Sequence, residues 1–313
     1  MKVTKQQVTI VLAFFAIYVI WGSTYLLNKI AVTEIPPLFI SAMRFTIAGI
    51  IIFAIAKAMK LSLAITKKQL LNASIAGFLF LVYGNGVFVW SLKYVDSGFA
   101  ALEASTQPLV ILVLMRIMYG KKIQLMSIIG VLLGIVGIYL LVSQQTITSQ
   151  EGSTLGIIMI FTCIISWSFA SLFVAKADLP SNIFVNAGYQ MMAAGILLFV
   201  FSFLFGEQWS SPLDWTPNVQ LSMLLLIIFG SIVAFTSFNY LLKIVSTEKV
   251  ATSSLVNPVI ALLLGWYVLD EHITVQSMVA SGILLTGVYF INSKKELKKG
   301  AFKGLKNPFR RGL

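Results

Sequence analysis

The chain of 313 residues is 58% hydrophobic and 11% charged, with a mean hydropathy of +0.92. Soluble domains carry about 25% charged residues, and a water-soluble fold cannot hide this much apolar surface, so lipid must be the main solvent. One cysteine (Cys163) excludes an internal disulfide or a cysteine metal cluster, and one histidine (His272, in a predicted loop beside Asp270 and Glu271) gives little support to a catalytic or zinc site.

Taken in order, ten stretches are long enough to cross a bilayer: 8–28, 36–57, 70–91, 96–117, 124–143, 153–175, 183–205, 219–240, 246–269 and 275–293. Each holds about 20 mostly apolar residues, which rise about 1.5 Å apiece and so cover a core of about 30 Å. The first run ends in no small-residue cleavage site and is followed by further spans. It is therefore expected to be a membrane anchor and not a cleaved signal peptide. The connections are short and leave no room for a soluble domain. The longest, Gly206–Asn218, carries two Trp and two Pro and is expected to lie at the headgroup layer.

The net charge of +12 would suit nucleic acid, but its placement argues for membrane orientation. Of the 23 Lys and Arg, 20 fall on one side of the predicted topology, only Lys29 and Lys93 on the other, and Arg44 within a span. By the bias of basic residues toward the cytoplasm, both termini are expected there, in agreement with an even number of spans. The basic tail, residues 294–313, is expected to anchor on anionic lipid.

The chain repeats itself. Residues 95–143 match 245–293 at a constant displacement of 150: Val95 with Val245, Pro108 with Pro258, Gly137 with Gly287, Ser143 with Ser293. Within each copy an amide precedes proline, as Gln107-Pro108 and as Asn257-Pro258. The earlier parts align at a displacement of 146, pairing Trp21 with Trp167, Arg44 with Gln190 and Gly49 with Gly195. Each repeat, 8–143 and 153–293, thus holds five spans. Five is odd, so the second copy must enter the membrane upside down. The expected architecture is an all-α membrane protein of ten transmembrane helices in a 5+5 inverted repeat.

Two charges fall inside spans, Arg44 in the second and Glu103 in the fourth. Both should lie roughly 11–12 Å below the outer surface, where they can meet as an ion pair. The pair is either structural or part of a site that takes a substrate carboxylate or couples protons through Glu103. Glu103 and Gln107 are four apart, which puts them on one helix face. Pro108 has no N–H for the carbonyl of Ala104. Gln107 and Asn257 should approach each other near mid-membrane. Asn85, between Gly84 and Gly86, is level with Arg44 and Glu103, and Trp21 and Trp167 lie away from the span ends, where belt anchoring does not explain them. Interhelical hydrogen bonds and lipid-facing packing are the alternatives for these residues. Gly130, Gly134 and Gly137, with Ala280, Leu284 and Gly287 as their copy, suit close helix packing. No P-loop, metal-ligand cluster or Ser/His/Asp constellation is present, and no cofactor is expected.

The combination Trp21-Gly22-Ser23-Thr24, Pro36-Pro37 and Met43-Arg44-Phe45 resembles the opening of drug/metabolite transporters of the EamA type. So do Gly84-Asn85-Gly86, Val256-Asn257-Pro258 and the acidic Asp270-Glu271. The resemblance covers nearly all ten spans. It implies a carrier in which spans one, three, four, six, eight and nine surround a cavity, with five and ten as scaffold, and which exports small metabolites or drugs by alternating access. Glu103 departs from the pattern, standing where such exporters have a small apolar residue. This favours a cationic or zwitterionic solute, or proton coupling. The expected function is a secondary transporter in the cell (inner) membrane for a small-molecule substrate. Trp21, Asn85, Glu103, Gln107, Trp167 and Asn257 are its candidate substrate-binding residues, with Glu103 for proton coupling and Arg44 as its ion-pair partner. A lipid-linked or importing carrier is the alternative within the class, and an intramembrane receptor or enzyme the alternative outside it. The oligomeric state is left open.

Overall fold

The computed structural model describes residues 4–95, 100, 104–120, 124–143, 153–269 and 274–292. These form helices α1 (Lys5–Ala31), α2 (Pro37–Ala58), α3 (Lys67–Ser91), α4 (Gln107–Tyr119), α5 (Leu125–Val142), α6 (Ser153–Lys176), α7 (Ile183–Leu204), α8 (Pro217–Ile244), α9 (Ser253–Leu269) and α10 (Val275–Asn292). Among the described residues there is no strand. Six of the helices, α1, α2, α3, α6, α7 and α8, are each long and apolar enough to cross a membrane. Large apolar side chains such as Phe15, Ile117 and Phe203 stand exposed around them. A surface of that kind is stable facing lipid chains and not water.

Local chemistry sets the helix starts. Thr4 and Thr66 each form a capping box with the glutamine three residues on, Gln7 and Gln69. Asn182 caps α7 through its side chain, while Pro37 and Pro217 open α2 and α8. Helices α1, α3 and α8 each contain a wider π-helical stretch, at Ala16–Ile20, Phe78–Val87 and Leu226–Phe235. Such stretches concentrate at functional sites, and all three lie beside the cavity described below.

Helix α2 packs along α7, and α5 along α10. In both pairs small residues let backbones touch reciprocally. A Cβ on Gly130 would sit 2.6 Å from the carbonyl of Gly287, and a Cβ on Gly137, the counterpart of Gly287, would sit 3.0 Å from the carbonyl of Ala280, the counterpart of Gly130. Gly49 abuts Met192 while its counterpart Gly195 abuts Thr46. Contacts that exchange the two partners of a repeat in this way are what a twofold relation between the halves produces. Gly130 and Gly137 of α5 are thus packed closely against α10, and Gly134 against Leu255 of α9.

One feature differs from expectation. The fourth span is not one continuous helix: a turn at Ser105–Thr106 interrupts it, and α4 begins at Gln107 with Pro108 in its first turn. Proline has no N–H to give and disfavours helical geometry in the residue before it, so the helix restarts there. By contrast, Pro258 lies inside α9. The Gly206–Asn218 loop folds onto the ends of the helices. Trp215 is only 7% exposed, and the ring of Trp209 stacks on Phe39 at 5.4 Å and 7°. Glu207 accepts from the backbone N–H of Leu38 and Phe39 (3.1 and 2.9 Å), capping α2 with negative charge. Glu34 does the same for α8, accepting from the N–H and hydroxyl of Thr216 (3.0 and 2.6 Å). These two bonds hold the Glu34 carboxyl below its ordinary range.

Candidate functional site

A cavity of about 120 Å³ lies where the two halves meet. That is room for a small solute or several waters. Helix α1 supplies Trp21, Thr24, Tyr25 and Asn28, whose spacing of 3, 4 and 7 places them on one face. Opposite stand Cys163, Ile164 and Trp167 of α6. The ring is completed by α2 (Arg44, Phe45), α3 (Gly84, Asn85, Phe88), α4 (Gln107, with Ala104 just before it), α8 (Gly230, Phe235) and α9 (Ser253, Ser254, Asn257). The helices expected from the resemblance to surround a cavity all do so, and α2 joins them through Arg44.

Aromatic rings close one end of the cavity. Trp21 and Trp167 meet edge to face at 5.7 Å. Phe238 lies against both, at 4.9 and 5.7 Å, and Phe80 touches Trp167, Phe235 and Phe238. Each such pair contributes about 0.5–1.5 kcal/mol beyond area burial. Trp21 Nε1 donates to the carbonyl of Gly230 at 3.2 Å, which fixes the ring's rotation. A Cβ on Gly84 would lie 2.9 Å from the Trp167 ring, so only glycine lets that ring rest on α3. Beyond this floor, toward the face where α7 begins and α8 ends, polar contacts tie the helices together. The hydroxyls of Tyr18 and Thr252 are 2.7 Å apart. Asn239 Oδ1 accepts from Asn186 Nδ2 at 3.2 Å and from Gln190 Nε2 at 3.0 Å, all three side chains being buried.

The polar wall is built around two amides and one cation. With its amide turned to suit its surroundings, Asn257 Nδ2 donates to the carbonyls of Ile17, Tyr18 and Ser253 at 3.0–3.2 Å. Its side chain is also hydrogen-bonded with the Tyr25 hydroxyl. Asn257 thus locks α9 to the π-helical stretch of α1. Arg44 is 3% exposed. Its Nε donates to Ser231 Oγ at 2.7 Å, its Cζ lies 5.0 Å from the Phe45 ring centre, and its Nη1 has no hydrogen-bond partner among the described residues. A cation at this depth costs at least about 2.5–3.5 kcal/mol, and one hydroxyl with one ring face offsets only part of that.

Of the residues singled out from sequence, Trp21, Asn85, Gln107, Trp167 and Asn257 all line this one cavity, together with Arg44. Glu103 lies outside the described residues, and with it the expected Arg44–Glu103 ion pair. Thr24, Tyr25, Asn28, Ser253 and Ser254 also line the cavity. Their signal was the helical spacing itself: Thr24 and Asn28 follow Trp21 at three and seven, and Ser253 and Ser254 precede Asn257 at four and three.

A model of the EamA-like transporter family matches residues 8–143 and 154–293. The chain belongs to the EamA-like transporter family. It is similar to the inner membrane transporter YedA of Escherichia coli (strain K12), with 34% identity over 91% of each chain. It is also similar to the transporter YoaV of Bacillus subtilis (strain 168), at 25% identity over 90% of this chain and 96% of that one. The S-adenosylmethionine/S-adenosylhomocysteine transporter of Chlamydia trachomatis is 24% identical over 90% and 89%. A crystal structure with 20% identity superposes with a TM-score of 0.75 over 90% of this chain and 95% of that chain, which shows a shared fold. This EamA-like protein is accordingly a membrane transporter and not an enzyme. Among the described residues no group of His, Cys, Asp and Glu gathers to hold a metal.

Proposed function

We propose that this EamA-like protein is a secondary carrier of a cytoplasmic membrane that moves a small amphipathic or zwitterionic, amino-acid-like metabolite outward by alternating access, with both termini cytoplasmic. The observation that carries this reading is the cavity itself. It mixes apolar rings with a few convergent polar groups, the usual make-up of a small-molecule site, and both repeats contribute to it. The aromatic floor supports a state closed at one end, as alternating access requires. Trp21 and Trp167 then stack on or gate the solute, and Asn85, Gln107 and Asn257 engage its polar groups. Glu103 serves as charge partner or proton carrier. The relative named for S-adenosylmethionine, a molecule that bears an amino-acid group, supports a zwitterionic cargo.

The test is a metabolite-wide efflux comparison between cells making the wild-type chain and cells making Glu103→Gln, followed by counterflow in proteoliposomes. Saturable counterflow is expected, with flux abolished or uncoupled from pH in the variant. Flux that never saturates points to a channel and overturns the carrier reading, and normal pH-dependent flux by Glu103→Gln removes that carboxyl from the mechanism.

A further inference from the structure

Among the described residues, three buried side-chain atoms without a hydrogen-bond partner belong to residues on the cavity wall: Arg44 Nη1, Asn28 Oδ1 and Asn85 Oδ1. Buried polar atoms almost always find partners, because desolvating them without one is costly. Each belongs to a side chain that lines the cavity, so a small turn of that side chain brings the atom to a bound molecule that satisfies it. Their chemistry is complementary. Arg44 is a permanent cation whose Nε is already held by Ser231, so its remaining donors are fixed in direction. Guanidinium pairs with carboxylate through two parallel bonds. The two asparagine oxygens are acceptors and suit an ammonium group. The rings of Trp21 and Trp167 offer an apolar surface for a side chain.

We infer that Arg44 anchors the substrate's carboxylate and that Asn28 and Asn85 receive its ammonium group, so that the cargo must carry a free carboxylate. The inference rests on the carrier reading and narrows it. It gives Arg44 a role as a specificity-determining residue in contact with substrate. It also predicts that amine-bearing drugs without a carboxylate are poor cargo.

The experiment uses the purified full-length protein and two matched sets of probes. Each set consists of an amino acid (L-leucine or L-phenylalanine), its carboxamide, its decarboxylated amine and its deaminated acid. Binding is read by tryptophan fluorescence in detergent, and transport by counterflow in proteoliposomes. The wild type should bind at least one amino acid tenfold or more tightly than its carboxamide and its amine. Arg44→Gln should remove that preference, and Arg44→Lys should keep part of it. Asn28→Ala and Asn85→Ala should weaken the amino acid while leaving the deaminated acid unchanged. Equal binding of amino acid, carboxamide and amine by the wild type overturns the inference without any variant, as does an undiminished preference in Arg44→Gln. Absence of binding by both sets overturns it as well. Equal weakening of amino acid and deaminated acid in the asparagine variants overturns the ammonium assignment. Selective binding without counterflow leaves the anchor standing and defeats the carrier reading. Counterflow of carboxamide and amino acid alike does the reverse.

Discussion

Asn239→Ala tests whether the floor of the cavity is a gate. Asn239 Oδ1 is the acceptor for Asn186 Nδ2 and Gln190 Nε2. Gln190 keeps a second acceptor in Asn186 Oδ1, at 3.0 Å, so the truncation chiefly orphans the buried amide of Asn186. One unsatisfied buried donor costs about 1–3 kcal/mol. At about 1.4 kcal/mol per tenfold, this lowers the population of the sealed state roughly 5- to 150-fold against a state in which α7 and α8 part at this point. The single cysteine supplies the assay. Cys163 is buried, its Sγ lies 3.3 Å from the carbonyl of Tyr83, and it lines the cavity. A membrane-impermeant maleimide applied to either side of oriented vesicles therefore reports which side the cavity opens to. The variant should label faster from the face where α7 begins and slower from the opposite one. If a folded Asn239→Ala labels Cys163 as the wild type does from both faces, the triad does not hold the floor shut and the reasoning fails.

Three further outcomes are expected. Gly130→Ala puts a methyl group 2.6 Å from the Gly287 carbonyl and 2.7 Å from Ile291 Cγ1, an overpacking that costs about 1–3 kcal/mol. Gly282 has nothing within 4 Å of the added atom, so Gly282→Ala should not lower thermal stability in detergent. Equal melting of the two variants would contradict the α5–α10 packing described above. Trp21→Phe keeps the ring contacts but loses the bond to Gly230, worth about 0.5–1.5 kcal/mol, whereas Trp21→Ala also opens the floor. Counterflow should be weakened in the first and replaced by leak in the second, and a tight, wild-type rate in Trp21→Ala would remove this ring from the gate. Glu34 is held ionised by Thr216, its carboxyl lying below the ordinary 4.5. Its stabilisation is therefore present above the unfolded value and is lost as pH falls through the lower folded one. Acid unfolding curves of the wild type and Glu34→Gln should converge below about pH 4.5 and separate above it, and curves that stay parallel would refute the assignment.

The candidate site was legible to the extent that symmetry and helical spacing reach. Trp21, Trp167 and Asn257 stood out because each has a counterpart in the other repeat, and all line the cavity. Asn28 has no such mark. It is one polar residue on an apolar helix, and only the packing of α1 against its neighbours shows that it faces inward with an unpartnered oxygen. Gln190 aligns with Arg44 but does not share its place: its amide is bound into the triad below the floor.

What the sequence determined by itself was the solvent, the number of spans and the doubling, because an apolar stretch of bilayer length and a constant displacement are properties of one dimension. The break before Gln107 needed the backbone, since Pro108 starts one helix while Pro258 sits inside another. The floor of rings, the lock of Asn257 onto α1 and the burial of Arg44 against Ser231 were decided only in three dimensions. Each depends on which helix faces which, and a contact between residues 209 or more positions apart, as between Trp21 and Gly230, leaves no local trace in the chain.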